Sequence, residues 1–586
     1  VPVSYFLQDF DLSVLIKLQS AQSLHDLAQI LGYKPSALAF VIYKIPPSQK
    51  YNKFKIPKRN GGEREICAPT SQLKKLQRNL ANVLYTCRDE IDNKNGQKSL
   101  SHGFRRNHSI VTNARPHKRR RYVLNIDLKD FFPTFNFGRV RGFFIHNNHF
   151  KLNEKIATII AQIACFENVL PQGSPCSPII ADMIAHLLDV RLTQLAKKNQ
   201  LTYSRYADDI TFSTNKLEFP SLIAAPISVE NPTWILGDGL VRTVQNAGFF
   251  INSNKTRMQF KMNRQLVTGL TVNRKVNIRP EYYRLARAMC HSLFKTGAYH
   301  RPVIETFIKG DENPSKQLVE ALGPLNGILS HIHYVKDTVD DRDEQEKRKN
   351  PTAARQLYSQ FLKYRYFVRL EQPLIVCEGK TDNIYLKYAI RSLAAFHPRL
   401  GSWDGPIFKS TTSFFSYANQ AHRLLGLNGG TGDLLYFFTK QKYKKDIEGF
   451  KHRPLKHPVI ILIDNDDGAK SIFSTIKENY KIQIDFSSAD PFFYITENLY
   501  LVKTPERGQT GASCIEDCFE AILLATELDG KKFNQNTNID PDKEYGKFVF
   551  AEKVVRPNVS TINFSGFSPL LQRLIAAIDD YSLKVV

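Results

Sequence analysis

The chain has 586 residues, 42% hydrophobic and 23% charged; this globular composition excludes a largely disordered or fibrous protein, and the length exceeds what one hydrophobic core organises. Lysine and arginine number 81 against 56 aspartate and glutamate, a formal net charge of +25, which points to a polyanionic partner because each phosphate neutralised releases counterions. No apolar run approaches the roughly 20 residues a membrane span needs, nothing at Val1–Gln8 resembles a cleavable signal peptide, and eight cysteines without a CxxC pair build neither a disulfide framework nor a zinc set. A soluble, reduced, cytoplasmic protein with no membrane partner is expected.

In chain order, residues 1–50 read as a helical segment. Ser23–Leu31 has helical spacing, Gly32 stops it, and Pro35 helps start the next helix. The run Arg115-Pro-His-Lys118-Arg119-Arg120-Arg121 packs five cations into seven residues. It reads as a stripe for backbone phosphates, with a solvated basic loop as the plainer alternative. Tyr122–Pro133 follows as a buried strand carrying Asp127. Some eighty residues on, Ser204–Ser213 reads as a hairpin with Asp208 and Asp209 at its turn. One aspartate at a strand end is ordinarily a turn or cap residue. Several brought together in a basic protein are costly unless cations hold them, and Mg²⁺, with Mn²⁺ as a substitute, takes carboxylates and substrate phosphates together.

Further on, Tyr282, Tyr283, Leu285, Ala286, Ala288 and Met289 recur at helical spacing and are expected to pack inward. Charge crowds out apolar residues over 336–356, so 336–371 reads as a charged linker. Beyond it, Pro373–Cys377 is a strand that ends in Glu378, a glycine turn and a helix start at Asp382. Val459–Ile463 is a second buried strand, ending in Asp464 and Asp466. Strand carboxyl ends meet at one edge of a parallel sheet, so Glu378, Asp464 and Asp466 are expected to converge there as metal ligands and catalytic acids. Asp382 reads as a helix cap. Gly429–Asp433 is either a phosphate-approaching loop or a plain turn. Glu516 and Lys547 are weaker additions to the same site.

The motifs together resemble known families. NIDLKDFFPTF, LPQGSPCSP (170–178) and YADD (206–209) resemble the palm motifs of reverse transcriptases, Ile56–Ile66 resembles their fingers hairpin, and Asn252–Thr256 their lysine motif. Asn113-Ala-Arg-Pro-His117 and Val267-Thr268-Gly269 resemble the NAxxH and VTG elements of retron reverse transcriptases. The EGKTD turn with the DxD strand end resembles the toprim fold of topoisomerases, bacterial primases and OLD- or ribonuclease M5-type nucleases. With no visible topoisomerase gate and no zinc module, a metal-dependent nuclease is the remaining reading. Retron reverse transcriptases fused to a toprim domain form a subgroup that this chain resembles.

The resemblance implies an α+β right hand with fingers and palm over 51–280 and a thumb over 281–335. An α/β toprim domain with a mostly parallel sheet would follow over 372–586. It implies metal ligation by Asp127 and Asp208 with Asp209 assisting, and a bulky gate at Phe132 against the ribose 2′-hydroxyl. Nucleotide contacts would come from Lys58, Arg64, Gln172 and Lys255, and contacts to a cognate non-coding RNA from Asn113, His117, Lys118–Arg121, Val267, Thr268 and Gly269. It also implies a branched RNA–DNA product (msDNA) primed from a guanosine 2′-hydroxyl, and a nuclease held silent by that product until phage infection. RNA is the favoured nuclease substrate, and a homo-oligomer is compatible. Two alternatives stay open: a non-retron bacterial reverse transcriptase with a processing nuclease, and a scaffold whose toprim unit is not catalytic.

Overall fold

The computed structural model describes residues 13–58, 62–96, 100–227, 233–302, 316–417, 420–508, 511–536 and 538–585. The start of the expected N-terminal helical segment and the tip of the 56–66 hairpin lie outside them. The chain divides into two compact units, the first built from residues up to Tyr283 with 334–341, the second from 284–302, 316–333 and 342 onward.

In the first unit, the helix Leu24–Ile30 starts at a capping box in which Ser23 and Asp26 satisfy each other's backbone N–H groups, and the next helix starts at Pro35. Strands β1 (Tyr51–Pro57) and β2 (Glu63–Pro69) form an antiparallel ribbon pairing Ile56 with Arg64. The long helix α1 (Ser71–Asn95) follows, then a short α2 (Ile110–Ala114). The central strand β3 (Tyr122–Lys129) buries Val123, Leu124, Ile126 and Leu128. Helix α3 (Ser177–Lys198) covers the sheet, whose order is β4 (Thr202–Tyr206), β5 (Asp209–Thr214), then β3; β6 (Phe250–Ile251) and β7 (Arg257–Phe260) pair with the far side of β3. Arg205 on β4 is wholly buried and pairs with Asp182 and Asp189 of α3 at 2.9 and 2.6 Å. Such a closed ionic lock costs several kcal/mol to break from one side. A small ribbon, β8 (Leu266–Val267) with β9 (Leu270–Thr271), ends this unit's sheet region.

The second unit holds a five-stranded sheet. Its strands are β10 (Leu374–Cys377), β11 (Ser413–Phe414), β12 (Val459–Ile463), β13 (Phe493–Thr496) and β14 (Leu499–Lys503), in the order β11–β10–β12–β14–β13. All neighbouring pairs are parallel except the edge pair β13–β14. Every residue of β10 and β12 is buried, as befits a sheet covered on both faces. Covering helices include α4 (Asp382–Ser392), α5 (Thr431–Phe438) and the C-terminal α6 (Ser568–Val585). A mostly parallel sheet is what the two acid-tipped apolar runs predict.

The expected domain boundaries differ from this division. The stretch read as a linker is largely helical, over Glu344–Lys349 and Ala353–Lys363, and buries Ala354, Arg355, Tyr358, Phe361 and Leu362. Its charges are spent locally: Glu344 pairs with Arg348, Arg355 and Arg423. An amphipathic helix with a satisfied charged face looks like a linker in composition alone. Much of the segment read as a thumb belongs to the second unit too, where the Phe294 ring packs at a tilt on Tyr364 and edge to face on Phe450. Of its expected inward face, Ala286 and Met289 are buried. No helix of the described residues is long and apolar enough to cross a membrane.

Candidate active sites

The antiparallel register of β3 and β5 sets Asp127 opposite Asp209, and Asp208 occupies the connecting turn of the β4–β5 hairpin beside Ala207, whose φ is 58°. The turn is tied to β3 by the Leu128 N–H donating to the Asp208 carbonyl at 3.0 Å. Lys255 Nζ reaches both Asp127 carboxylate oxygens at 3.0 Å, and Asn252 Nδ2 approaches one at 3.4 Å. Burial and the nearby Asp127 raise the Asp208 pKa, opposed by Lys255 and Arg64. Asp209 reaches the surface of the turn, yet its packed surroundings and the charges of Asp208 and Asp127 push its carboxyl up to about 7. The acids outweigh the cation that faces them.

Asp127, Asp208, Asn252 and Lys255 line a cleft of about 620 Å³ that also takes in Lys58, Arg64, Phe104, Phe132 and Gln172. Phe132 packs on Phe104 with ring centroids 5.8 Å apart. The Gln172 carbonyl accepts from the Cys67 N–H at 2.8 Å, and at Gly173, with φ at +118°, a Cβ would sit 2.8 Å from the Cys67 carbonyl oxygen. Only glycine lets the 170–178 loop close on the ribbon.

The proposed RNA contacts separate into two groups. Asn113, His117 and Val267 are wholly buried, so direct contact with RNA is corrected to an internal role. His117 lies between the hydroxyls of Ser213 and Ser204 at 2.7 and 2.8 Å, and burial lowers its pKa to about 3. The Asn113 amide has no hydrogen-bond partner among the described residues. Thr268, at φ 46°, donates its hydroxyl to the Ile110 carbonyl of α2, and exposed Gly269, at φ 81°, makes the β8–β9 turn. The two short motifs therefore brace one another across α2. Lys118, Arg119 and Arg121 are exposed, although Arg119 is anchored to the Val272 and Arg274 carbonyls. Arg120 turns inward to Pro116 and Thr202.

In the second unit, Glu378 follows β10 and Asp464 follows β12, and the Asp464 N–H donates to the Glu378 carboxylate at 3.3 Å. Thr431, at the start of α5, donates to Glu378 Oε1 at 2.6 Å. Asp464 Oδ1 accepts from the Ile515 N–H at 2.9 Å, and Oδ2 lies 3.9 Å from Lys547 Nζ. Lys547 reaches buried Glu516 at 3.0 Å, and Glu516 Oε1 has no hydrogen-bond partner among the described residues. Asp382 is buried, accepts from the Gly379 N–H at 2.7 Å and is pushed up to about 6 by burial and then by Glu516. Burial also raises Glu378, and holds Asp464 well above the usual carboxylate range, with Asp382 and Glu516 adding to it. Lys547 is raised by Glu516 and Asp464 against its own burial.

Glu378 and Asp464 therefore meet as expected from the sheet edge. Asp466 instead turns to cap the following helical turn, accepting from the Gly468 N–H at 2.9 Å. Asp382, expected as a helix cap, is instead the first residue of α4, with Thr381 at the cap position, and its carboxylate joins the acid cluster while accepting from the Gly379 N–H. The Thr431 bond to Glu378 had no sequence signal beyond the glycines around it. Among the described residues no three His, Cys, Asp or Glu side chains form a preformed metal cage.

Comparison with known proteins bears on the first unit. The family profile "Reverse transcriptase (RNA-dependent DNA polymerase)" matches residues 56–272. The chain is 32% identical over 275 residues to the retron Ec86 reverse transcriptase of Escherichia coli, covering 46% of this chain and 78% of that protein. It is 34% identical over 283 residues to the retron Mx65 reverse transcriptase of Myxococcus xanthus, covering 45% of this chain and 62% of that one. A structure of apo telomerase from Candida tropicalis, truncated from its C-terminal domain, aligns with a TM-score of 0.26 at 14% identity over 40% of this chain and 56% of that chain, too distant to argue from.

Proposed function

The chain belongs to the retron reverse transcriptases, RNA-directed DNA polymerases, and from that premise we propose that it copies its cognate non-coding RNA into msDNA, priming from a guanosine 2′-hydroxyl. The observation that carries the assignment of the chemistry is Asp127 facing Asp209, with Asp208 at the turn and Lys255 against Asp127. Carboxylates gathered so that the charge of Asp127 raises Asp208, and both raise Asp209, fit Mg²⁺, which takes one or two carboxylates and completes its shell with water and phosphate oxygens. Bound there, Mg²⁺ or Mn²⁺ would supply activation of the priming hydroxyl and neutralisation of the departing pyrophosphate. Asp127 and Asp208 would hold it, with Asp209 assisting. Lys58 and Arg64, exposed at the mouth of the cleft, hold the triphosphate of the incoming nucleotide, and Lys255 keeps Asp127 oriented. Phe132, braced by Phe104, narrows the cleft where a ribose 2′-hydroxyl would lie. Lys118, Arg119 and Arg121 follow the RNA backbone, on a support built by Asn113, His117 and the 267–269 turn.

For the second unit the proposal is a toprim-type, metal-dependent nuclease, restrained by msDNA and released on phage infection as an antiphage device. Its support is the convergence of Glu378, Asp464, Asp382, Glu516 and Lys547 at one sheet edge. Glu378 and Asp464 would hold the cation, and Lys547 is placed to meet a phosphate oxygen beside them. The capping role of Asp466 favours a second reading, a scaffold without catalysis. Sequencing the nucleic acid that co-purifies with the protein tests the first proposal: a short DNA joined through a 2′–5′ branch to a structured RNA is expected, and a heterogeneous mixture without branches would overturn it. Glu378→Ala tests the second: msDNA should persist while phage protection disappears. Retained protection would favour the scaffold.

A further inference from the structure

The second unit carries an aromatic and cationic surface that neither acid cluster uses. An antiparallel ribbon of Gly401–Asp404 and Ile407–Ser410 pairs Trp403 with Phe408, their rings edge to face at 5.3 Å. Trp403 remains 48% exposed, Ile407 63%, and Phe396, which precedes the ribbon, 78%. Arg391, in the last turn of α4, lays its guanidinium 5.1 Å from the Trp403 ring centroid and 5.8 Å from that of Phe408. Its own carbonyl accepts from the Trp403 indole N–H at 3.2 Å. One turn earlier on the same helix, Lys387 lies over Phe414 at 5.4 Å.

Lys387 and Arg391 are exposed and have no carboxylate partner among the described residues. Lys409, across the ribbon, pairs with Asp404 at 2.6 Å. A soluble surface seldom keeps this much ring area in water beside unpaired cations unless a partner covers it. Flat rings that every base can stack on, flanked by cations for the backbone, are the elements of a single-strand platform. An acidic protein would satisfy the cations and leave the rings wet; a duplex would hide its bases from them.

We propose that this ribbon, through Trp403, Phe408, Arg391 and Lys387, binds single-stranded DNA, the polymer a DNA polymerase in the same chain produces. Trp403 stacks on a base while Arg391 and Lys387 meet flanking phosphates. Along α4, Arg391 and the Trp403 ring beside it lie about 14 Å from Asp382, so the stacking site is distinct from the acid cluster. The proposal does not rest on hydrolysis there, and the test is run in metal-free buffer to keep the two apart.

The chain has two tryptophans, and Trp234 is half-buried among Tyr122, Phe219 and Phe260. Full-length Trp234→Phe protein therefore reports on Trp403 alone. Titration with a dT12 oligonucleotide, with anisotropy of a labelled strand followed in parallel, should quench Trp403 emission. The quenching midpoint should weaken at least about fivefold in Arg391→Ala, and the log–log salt slope should shrink by about 0.7 for the lost phosphate contact. Binding by anisotropy with unchanged Trp403 emission would overturn the proposal, as would absence of binding. Stronger quenching by an oligo(rU) strand would overturn the choice of DNA, and equal quenching by a duplex the choice of a single strand. Should Trp234→Phe fail to fold, wild-type protein labelled with 5-fluorotryptophan gives the same reading. Its Trp403 resonance, assigned with Trp403→Phe, should shift on adding dT12, and a fixed resonance would overturn the proposal.

Discussion

The palm hairpin and the C-terminal sheet edge each gather carboxylates, but they neutralise them differently. In the palm, three acids come from one strand and one adjacent hairpin, and the cation facing them, Lys255, is 47% exposed on a neighbouring loop. Lys58 and Arg64 stand off across an open cleft. At the sheet edge the acids come from three separate segments, Glu516 is wholly buried, and Lys547 from a fourth sits among them with 34% of its side chain exposed. The first arrangement leaves charge to be met by a ligand. The second builds part of the countercharge into the core, so folding and electrostatics there are joined.

The strongest test of that contrast separates chemistry from stability. Asp208→Asn should lower RNA-templated primer extension by about a hundredfold or more with little change in thermal unfolding, while Glu378→Gln should leave extension intact. Equal loss in both would break the separation. Next comes the pair of lysines. Lys547→Met leaves Glu516 and Asp464 without their cation and should cost about 2 kcal/mol of local stability, the lower side of a broken buried pair because the lysine is partly solvated. Lys255→Met should cost well under 1 kcal/mol yet depress extension. Segment-resolved hydrogen exchange beside extension assays reads both.

His117 in the first unit and Asp382 in the second should respond to pH with opposite signs. His117 has a folded pKa near 3 against about 6.5 unfolded, so its contribution to stability is complete above about pH 6.5 and falls away as pH drops toward 3. Asp382 is raised to about 6 from about 3.9, so its contribution is complete below about pH 4 and is lost as pH rises through 6. Each slope is at most about 1.4 kcal/mol per pH unit. Hydrogen-exchange stability measured against pH should flatten on the acid side in His117→Gln and lose its decline near pH 6 in Asp382→Asn. Thr431→Val, which removes one hydroxyl from Glu378, should cost about 1 kcal/mol in the same experiment.

Sequence was most informative where chemistry and local structure coincide. The apolar run with buried Val123, Leu124, Ile126 and Leu128 identifies a buried strand, and the YADD turn places Asp208 and Asp209 at its partner's end. An antiparallel register then requires Asp127 to face them. The two continuous apolar runs likewise announced strands buried on both faces, and with them the meeting of Glu378 and Asp464. Composition misled where helices carry charge on one side only, as over 344–363, because hydrophobic content averages away a periodic face.

The linear chain by itself determined the polymerase motifs, their order and the acids at strand ends, because each follows from neighbours a few residues away. Only the tertiary structure decided that Asn113 and His117 are core, that Asp466 caps a turn, and that Glu516 and Lys547 join Asp464 from 52 and 83 residues further along. Burial and the pairing of distant charges depend on which surfaces meet when the chain closes. No local pattern encodes that choice.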